Sequence, residues 1–351
     1  TSDSSLVPLS LVGLSGAEIA GFLRAAGSPA LHEAGVSLET MLSNRTLRSR
    51  EDVQSQLGSL NSGNAGLMAA LVRVQAEIKQ TVFRAAIAEI ERGGLSDPFE
   101  AEAANDLTVQ LPPLVRSNLA ILIGIEDYGG VLPSLSTPLH DVNEIGRQLE
   151  TSFGFQSIIL RNPSRDQIVA TLQAVSAKII PGHSLIVYFA GHGYQIERAG
   201  TGYWLPADAG TDSAANWIST ADLTRFLGRV RASQTLLVSD SCYSGALVRE
   251  SRLVAERETA AESGNAGERA VVALSSGGDE PVRDDGTQGH SVFAASMLDA
   301  LNDTSRSKTG FQVFAEIKDR VSLVTAQQPN YGSLPSAGHQ PGADFIFHPV
   351  R

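Results

Sequence analysis

Ser184-Leu-Ile-Val-Tyr-Phe-Ala-Gly-His-Gly193 and Thr235-Leu-Leu-Val-Ser-Asp-Ser-Cys-Tyr-Ser-Gly245 decide how this chain folds. Each is an apolar run long enough for one buried strand. The first ends in His192 and the second in Cys242, 50 positions apart. Strands that are apolar almost throughout, with helical stretches between them, predict a mostly parallel sheet covered on both faces. Chemistry in such sheets gathers beyond the carboxyl ends of the strands, where both residues fall.

The same pattern extends outward on either side. Strands are predicted at 119–125, 157–160, 184–189, 235–239, 270–274 and 344–347. Helices are predicted at 138–151, 164–180, 220–230, 291–301 and 311–325. Upstream the periodicity changes. Leu71, Val74, Ile78, Val82 and Ala85 recur on one helical face between Leu67 and Glu91, and Gly93-Gly94 follows as a stop. Shorter helices are expected near 16–25 and 50–57. A proline-bearing stretch from Leu95 to Ser117 reads as a linker. The expected organisation is a helical region over residues 1–112, a prodomain or regulatory element, followed by an α/β domain over 113–351.

Composition narrows the function classes. A net charge of −11 argues against a nucleic-acid-binding face, which needs clustered Lys and Arg to neutralise phosphates. One cysteine cannot form an internal disulfide, so nothing points to an oxidising compartment. No run approaches the length of a membrane span, and no secretory leader is visible. The chain begins at Thr1, so a cytoplasmic location is only the default expectation. There is no phosphate-binding glycine loop, no nucleophile elbow around a serine and no His-Glu-x-x-His. His140, His183, His290, His339 and His348 stand singly in the sequence and read as structural residues, so no metal site is expected.

A cysteine attacks as its thiolate, and a neighbouring histidine both lowers the thiol pKa and returns the proton to the leaving group. Gly191 and Gly193 flank His192 and leave room for a substrate backbone. The amides of Gly193 and Cys242 are the expected oxyanion donors. Taken alone, Cys242 would be a small buried apolar residue. Its place at a strand end, the glycines nearby and Asp240 two positions before it favour a nucleophile.

Six segments in order resemble the caspase-like cysteine peptidases, on the bacterial metacaspase or orthocaspase side. They are Leu119–Ile125, Tyr188–Gly193, Asp240–Gly245, Ala273–Gly278, Gly289–Ala294 and Ala337–Phe347. The histidine some 50 residues upstream of the cysteine is a known property of caspases. The resemblance implies a caspase-like fold, with a six-stranded sheet flanked by helices. It also implies a Cys242–His192 dyad cutting peptide bonds. Ser239-Asp-Ser-Cys-Tyr243 replaces the caspase signature around the nucleophile. In metacaspase-like enzymes the acid two residues before the cysteine lines the primary specificity pocket, and here that residue is Asp240.

A second pocket acid of that family matches Asp141, for which a helix first-turn acid is the alternative reading. Ser276, in Ser275-Ser-Gly-Gly278, is a further substrate-binding candidate. Two converging carboxylates grip a guanidinium and repel an acidic side chain, so the implied substrate is a protein or peptide with Arg or Lys before the cut. The polar stretch 247–269 carries Arg249, Arg252, Arg257 and Arg269 as autoprocessing candidates, with a plain connector as the alternative. Residues 1–112 would receive an upstream activating partner. Calcium activation, common in the family, is not expected, because only Asp208 and Asp212 occupy the corresponding stretch. No other cofactor is implied. The competing function is a catalytically silent signalling or scaffold module working through its helical region.

Overall fold

The computed structural model describes residues 21, 24, 32, 36, 82–93, 95–100, 111–132, 134–196, 201–241, 268–277, 289–325 and 327–350. Two units make up the chain. One comprises Thr1–Leu95, Tyr128–Ser134 and Gly210–Ala215, and the other holds the remainder.

In the first unit Gly21, Arg24, His32 and Val36 are helical. Helix α1 (Arg84–Glu91) ends where the paired glycines foretold: Gly93 adopts φ +75°, a conformation with no penalty for a residue lacking Cβ. Glu89 on this helix accepts hydrogen bonds from Ser213 Oγ and from the Ala214 amide, each 2.8 Å long. The expected helices at 16–25, 50–57 and most of 67–91 lie largely outside the described residues.

The second unit is built on a six-stranded sheet. Its strands are β1 (Asn118–Gly124), β2 (Gln156–Arg161), β3 (Ser184–Ala190), β7 (Gln234–Asp240), β8 (Ala270–Ser275) and β10 (Asn330–Ser333). The order is β10-β8-β7-β3-β1-β2, parallel throughout except for β10, which runs antiparallel to β8. Strands β1, β3, β7 and β8 are buried almost end to end, as a parallel sheet covered on both faces requires.

Helices α2 (Pro138–Phe153), α3 (Arg165–Ser176), α4 (Thr220–Arg229), α5 (Val292–Asn302) and α6 (Gly310–Val324) complete the layers. Two of them, α3 and α6, start in reciprocal capping boxes, Ser164 with Gln167 and Thr309 with Gln312. On one face of the sheet Val142, Ile145, Leu149, Phe293, Met297, Leu301, Val313 and Ile317 pack into a core with alternate strand residues. No helix among the described residues is long and apolar enough to cross a membrane.

The sixth strand is a correction. The apolar run at 344–347 was expected in the main sheet, but only Ile346–Phe347 (β11) is extended, and it pairs with β9 (Lys308–Thr309) in a separate two-stranded ladder. The main sheet closes instead on Asn330-Tyr-Gly-Ser333, an edge strand whose polar residues hide it from an apolar count. A small antiparallel sheet of β4 (Gly193–Ile196), β5 (Thr201–Trp204) and β6 (Ile218–Ser219) was also unforeseen.

Candidate active site

The carboxyl edge of the sheet is set by one row of partners. Gly124 on β1 pairs with Ala190 on β3, and Ala190 pairs with Asp240 on β7. The ladder runs on past its formal ends, because Gly191 N–H donates to Asp240 O at 3.3 Å and Ser276 N–H donates to Ser239 O at 3.0 Å. From the matched pair Ala190 and Asp240 the chain reaches His192 and Cys242 in two residues each. Cys242 lies outside the described residues.

His192 is half-buried. Its carbonyl accepts the Leu205 N–H at 3.0 Å, and Gly193 beside it opens β4 as a buried partner of Trp204. Trp204 joins the two strand ends. Its indole stacks on Phe189, with ring centroids 4.4 Å apart and planes 5° from parallel. Its Nε1–H donates to Ser239 Oγ at 2.9 Å, and that oxygen lies 2.9 Å from Ser241 Oγ, immediately before Cys242. The indole thus pins the strand carrying His192 to the strand leading to Cys242.

The two aspartates are brought close together. Asp240 is 5% exposed and Asp141 is fully buried. A buried carboxylate must find donors or neutralise. Asp240 Oδ2 accepts from Ser291 Oγ at 2.6 Å and from Tyr188 OH at 3.3 Å. Asp141 Oδ1 lies 2.6 Å from His290 Nδ1, and Asp141 Oδ2 accepts the Ser291 N–H at 3.3 Å. Ser291 therefore binds both acids, through its hydroxyl to Asp240 and its amide to Asp141, and the adjacent His290 also meets Asp141. Burial, reinforced by both carboxylates, pushes the Tyr188 hydroxyl well above its ordinary pKa, so it stays a donor. Burial also holds His290 below the ordinary imidazole value, although Glu144 works in the opposite direction. The contact with Asp141 sets an imidazole nitrogen directly against a carboxylate oxygen.

Local sequence explains how Asp141 arrives there. Helix α2 starts at Pro138, and the Leu139 N–H is capped by the Glu126 carboxylate at 3.0 Å, not by Thr137. The helix start sits hard against the end of β1. A Cβ on Gly124 would lie 2.8 Å from Pro138 O, closer than real contacts allow, so glycine there admits the helix to the sheet edge. Asp141 is both a first-turn acid of α2 and a buried partner of His290.

The remaining site residues divide. Ser276 is fully buried, and its Oγ has no hydrogen-bond partner among the described residues. Arg249, Arg252 and Arg257 lie outside the described residues. Arg269 is no part of a free loop. Its guanidinium donates to Leu227 O at 2.8 Å, its N–H bonds Gln340, and it leads directly into β8.

Three residues that the sequence reading left without a role belong to the cluster: Tyr188, His290 and Ser291. Tyr188 counted only as strand apolarity. Ser291 could have been found as an N-cap, since its Oγ accepts the Ala294 N–H at 2.9 Å at the start of α5. His290 carried no local signal. The reading of His140 and His290 as isolated residues fails in space, where their rings stand 4.2 Å apart.

No curated protein sequence matches the chain. Among solved structures, a protein from Geobacter sulfurreducens aligns at 16% identity and a TM-score of 0.46, covering 65% of this chain and 99% of its own. Caspase-1 from Spodoptera frugiperda aligns at 14% identity and a TM-score of 0.45, covering 62% of this chain and 87% of its own. The caspase domain, as a sequence family, matches residues 117–337, a span from the start of β1 to the turn after β10. With more than half of the sequence matched to that domain, and a six-stranded sheet ending in His192 and the strand before Cys242, the chain belongs to the caspase-like family of cysteine peptidases.

Proposed function

We propose that the protein is a cysteine endopeptidase that cuts after Arg or Lys. Its nucleophile is Cys242, and His192 is the base that takes the thiol proton and returns it to the leaving amine. The observation that carries this reading is the register: Ala190 faces Asp240 across β3 and β7, so the two chemical residues follow at equal steps beyond one matched pair. The amides of Gly193 and Cys242 serve the oxyanion. Asp240 and Asp141 supply the negative charge that selects a basic side chain, and their shared neighbourhood at Tyr188 supports the pairing. This chemistry needs no cofactor, and calcium has no role in it.

Residues 1–112 act as the regulatory region. Activation includes self-cleavage after Arg249, Arg252 or Arg257. Arg269 is the weakest candidate, because a scissile bond must enter the site extended and its neighbours hold this residue at the base of β8.

Matched fluorogenic peptides ending in Arg, Lys or Asp test the proposal. Hydrolysis is expected after Arg and Lys and not after Asp. Cys242→Ala should abolish it and should keep the intact mass of the full chain where the wild type shows fragments. Preference for Asp, or turnover surviving Cys242→Ala, would overturn the reading. An unreactive wild type with an intact fold would favour the silent scaffold.

A further inference from the structure

His140 and Asp141 on the first turn of α2 lie beside His290 just before α5, and the proposed peptidase chemistry uses neither imidazole. Each of the three offers one ligand atom, and these atoms lie within 4.8 Å of one another. His140 is exposed on the first turn of α2, while His290 and Asp141 lie deeper. Among the described residues both rings hydrogen-bond through Nδ1: His140 to Gly289 O at 3.2 Å, and His290 to Asp141 at 2.6 Å. For His140 this is the arrangement of a metal-binding histidine, with one nitrogen tied to a carbonyl and the other left for an ion, whereas His290 Nδ1 and Asp141 Oδ1 share a proton that a metal ion displaces when it binds between them. Gly289 places its carbonyl there with φ +81°, a conformation that favours glycine. Glu144, one turn along α2 from His140, lies near both imidazoles and adds to the negative potential there.

We propose that His140, His290 and Asp141 form a site for a zinc ion. Two imidazoles and one carboxylate are a borderline-soft donor set that suits zinc and leaves a fourth position for water. Calcium and magnesium, which take oxygen ligands, are poorly served by it. A zinc tetrahedron with bonds of about 2.05 Å has ligand atoms about 3.3 Å apart. The approach from 4.8 Å falls mainly to His140, which is exposed and can turn. Occupancy draws the Asp141 carboxylate toward the ion and away from a basic side chain. Zinc therefore competes with substrate at the pocket. That consequence rests on the peptidase reading, whereas binding of the ion does not.

The test uses the full chain as Cys242→Ala, which removes the catalytic thiolate as a rival ligand. Zinc affinity is measured by competition with a chromogenic chelator, and thermal melting confirms the fold of each variant. One zinc ion per chain is expected, with at least tenfold weaker binding when His140→Ala is added and no measurable calcium binding. His140 is chosen because it is exposed and its loss leaves the buried contacts standing. Cobalt(II) should give visible ligand-field bands that disappear with His140→Ala. Absence of zinc binding, or affinity unchanged by His140→Ala, overturns the site. In the chain with Cys242 intact, zinc should inhibit cleavage of arginyl peptides at lower concentration than it inhibits the His140→Ala chain. Zinc that binds through His140 and leaves that cleavage untouched would uphold the site and remove Asp141 from the pocket.

Discussion

On the His192 side of the sheet edge, a flat indole lies against Phe189 and gives one neutral hydrogen bond to Ser239. On the side of the two aspartates, buried carboxylates are held by a serine hydroxyl, a tyrosine hydroxyl and an imidazole. The first arrangement draws on stacking, worth about 0.5–1.5 kcal/mol beyond burial, and on a neutral bond of about 1 kcal/mol. The second stands on charge. Removing a donor there leaves desolvated carboxylate behind, at a cost of about 1.5–3 kcal/mol for each charge-assisted bond. A perturbed stack repacks, but a stranded charge has nowhere to go. The base side is therefore expected to degrade gradually and the acid side abruptly.

Substitutions on the acid side should have the largest effects. Asp240→Asn keeps the shape and removes the charge. It should lower kcat/KM for arginyl peptides by about ten- to a hundredfold, the equivalent of the 1.5–3 kcal/mol of a charged hydrogen bond. Steady-state kinetics on matched peptides would show it, and an unchanged preference for Arg would detach Asp240 from specificity.

Ser291→Ala should come next, measured as a loss of thermal stability. It removes a helix cap of about 1 kcal/mol together with the bond to Asp240. Ser291→Thr keeps the hydroxyl and should recover most of the loss. A fully stable alanine variant would show that the acid side is not held by charge.

The smallest effect is expected from Trp204→Phe. It keeps a ring for Phe189 and forfeits the indole N–H, at a cost of about 1 kcal/mol. Its mark should be a severalfold fall in kcat with KM held, because the indole steadies the strand ends that carry the dyad and does not touch the pocket acids. A rise in KM without a change in kcat would erase the distinction between the two sides.

The two sides also differ in how far the chain announces them. Apolar runs marked β1, β3, β7 and β8 because a doubly covered parallel strand has no polar face to interrupt the pattern. The same logic failed at Asn330–Ser333, where a short edge strand needs few apolar residues, and at 344–347, where apolarity served the helical layer. Asp240 and Asp141 were visible as motif positions. Their partners were not: His290 lies 149 positions from Asp141, and Ser291 lies 51 from Asp240. Local spacing carries no information at that range. Tyr188 was hidden differently, since a tyrosine within an apolar strand shows its ring to a hydropathy count and conceals its hydroxyl.

Ser291 Oγ answers two demands with a single atom. It accepts the Ala294 amide in the first turn of α5 and donates its proton to Asp240. The start of a helix and the seating of a buried carboxylate thereby depend on one position. On the proposed peptidase reading, a descendant that abandoned proteolysis would keep Ser291 for the sake of its fold. Persistence of that serine in a relative is accordingly a record of folding, and a living pocket has to be read from the aspartate beside it.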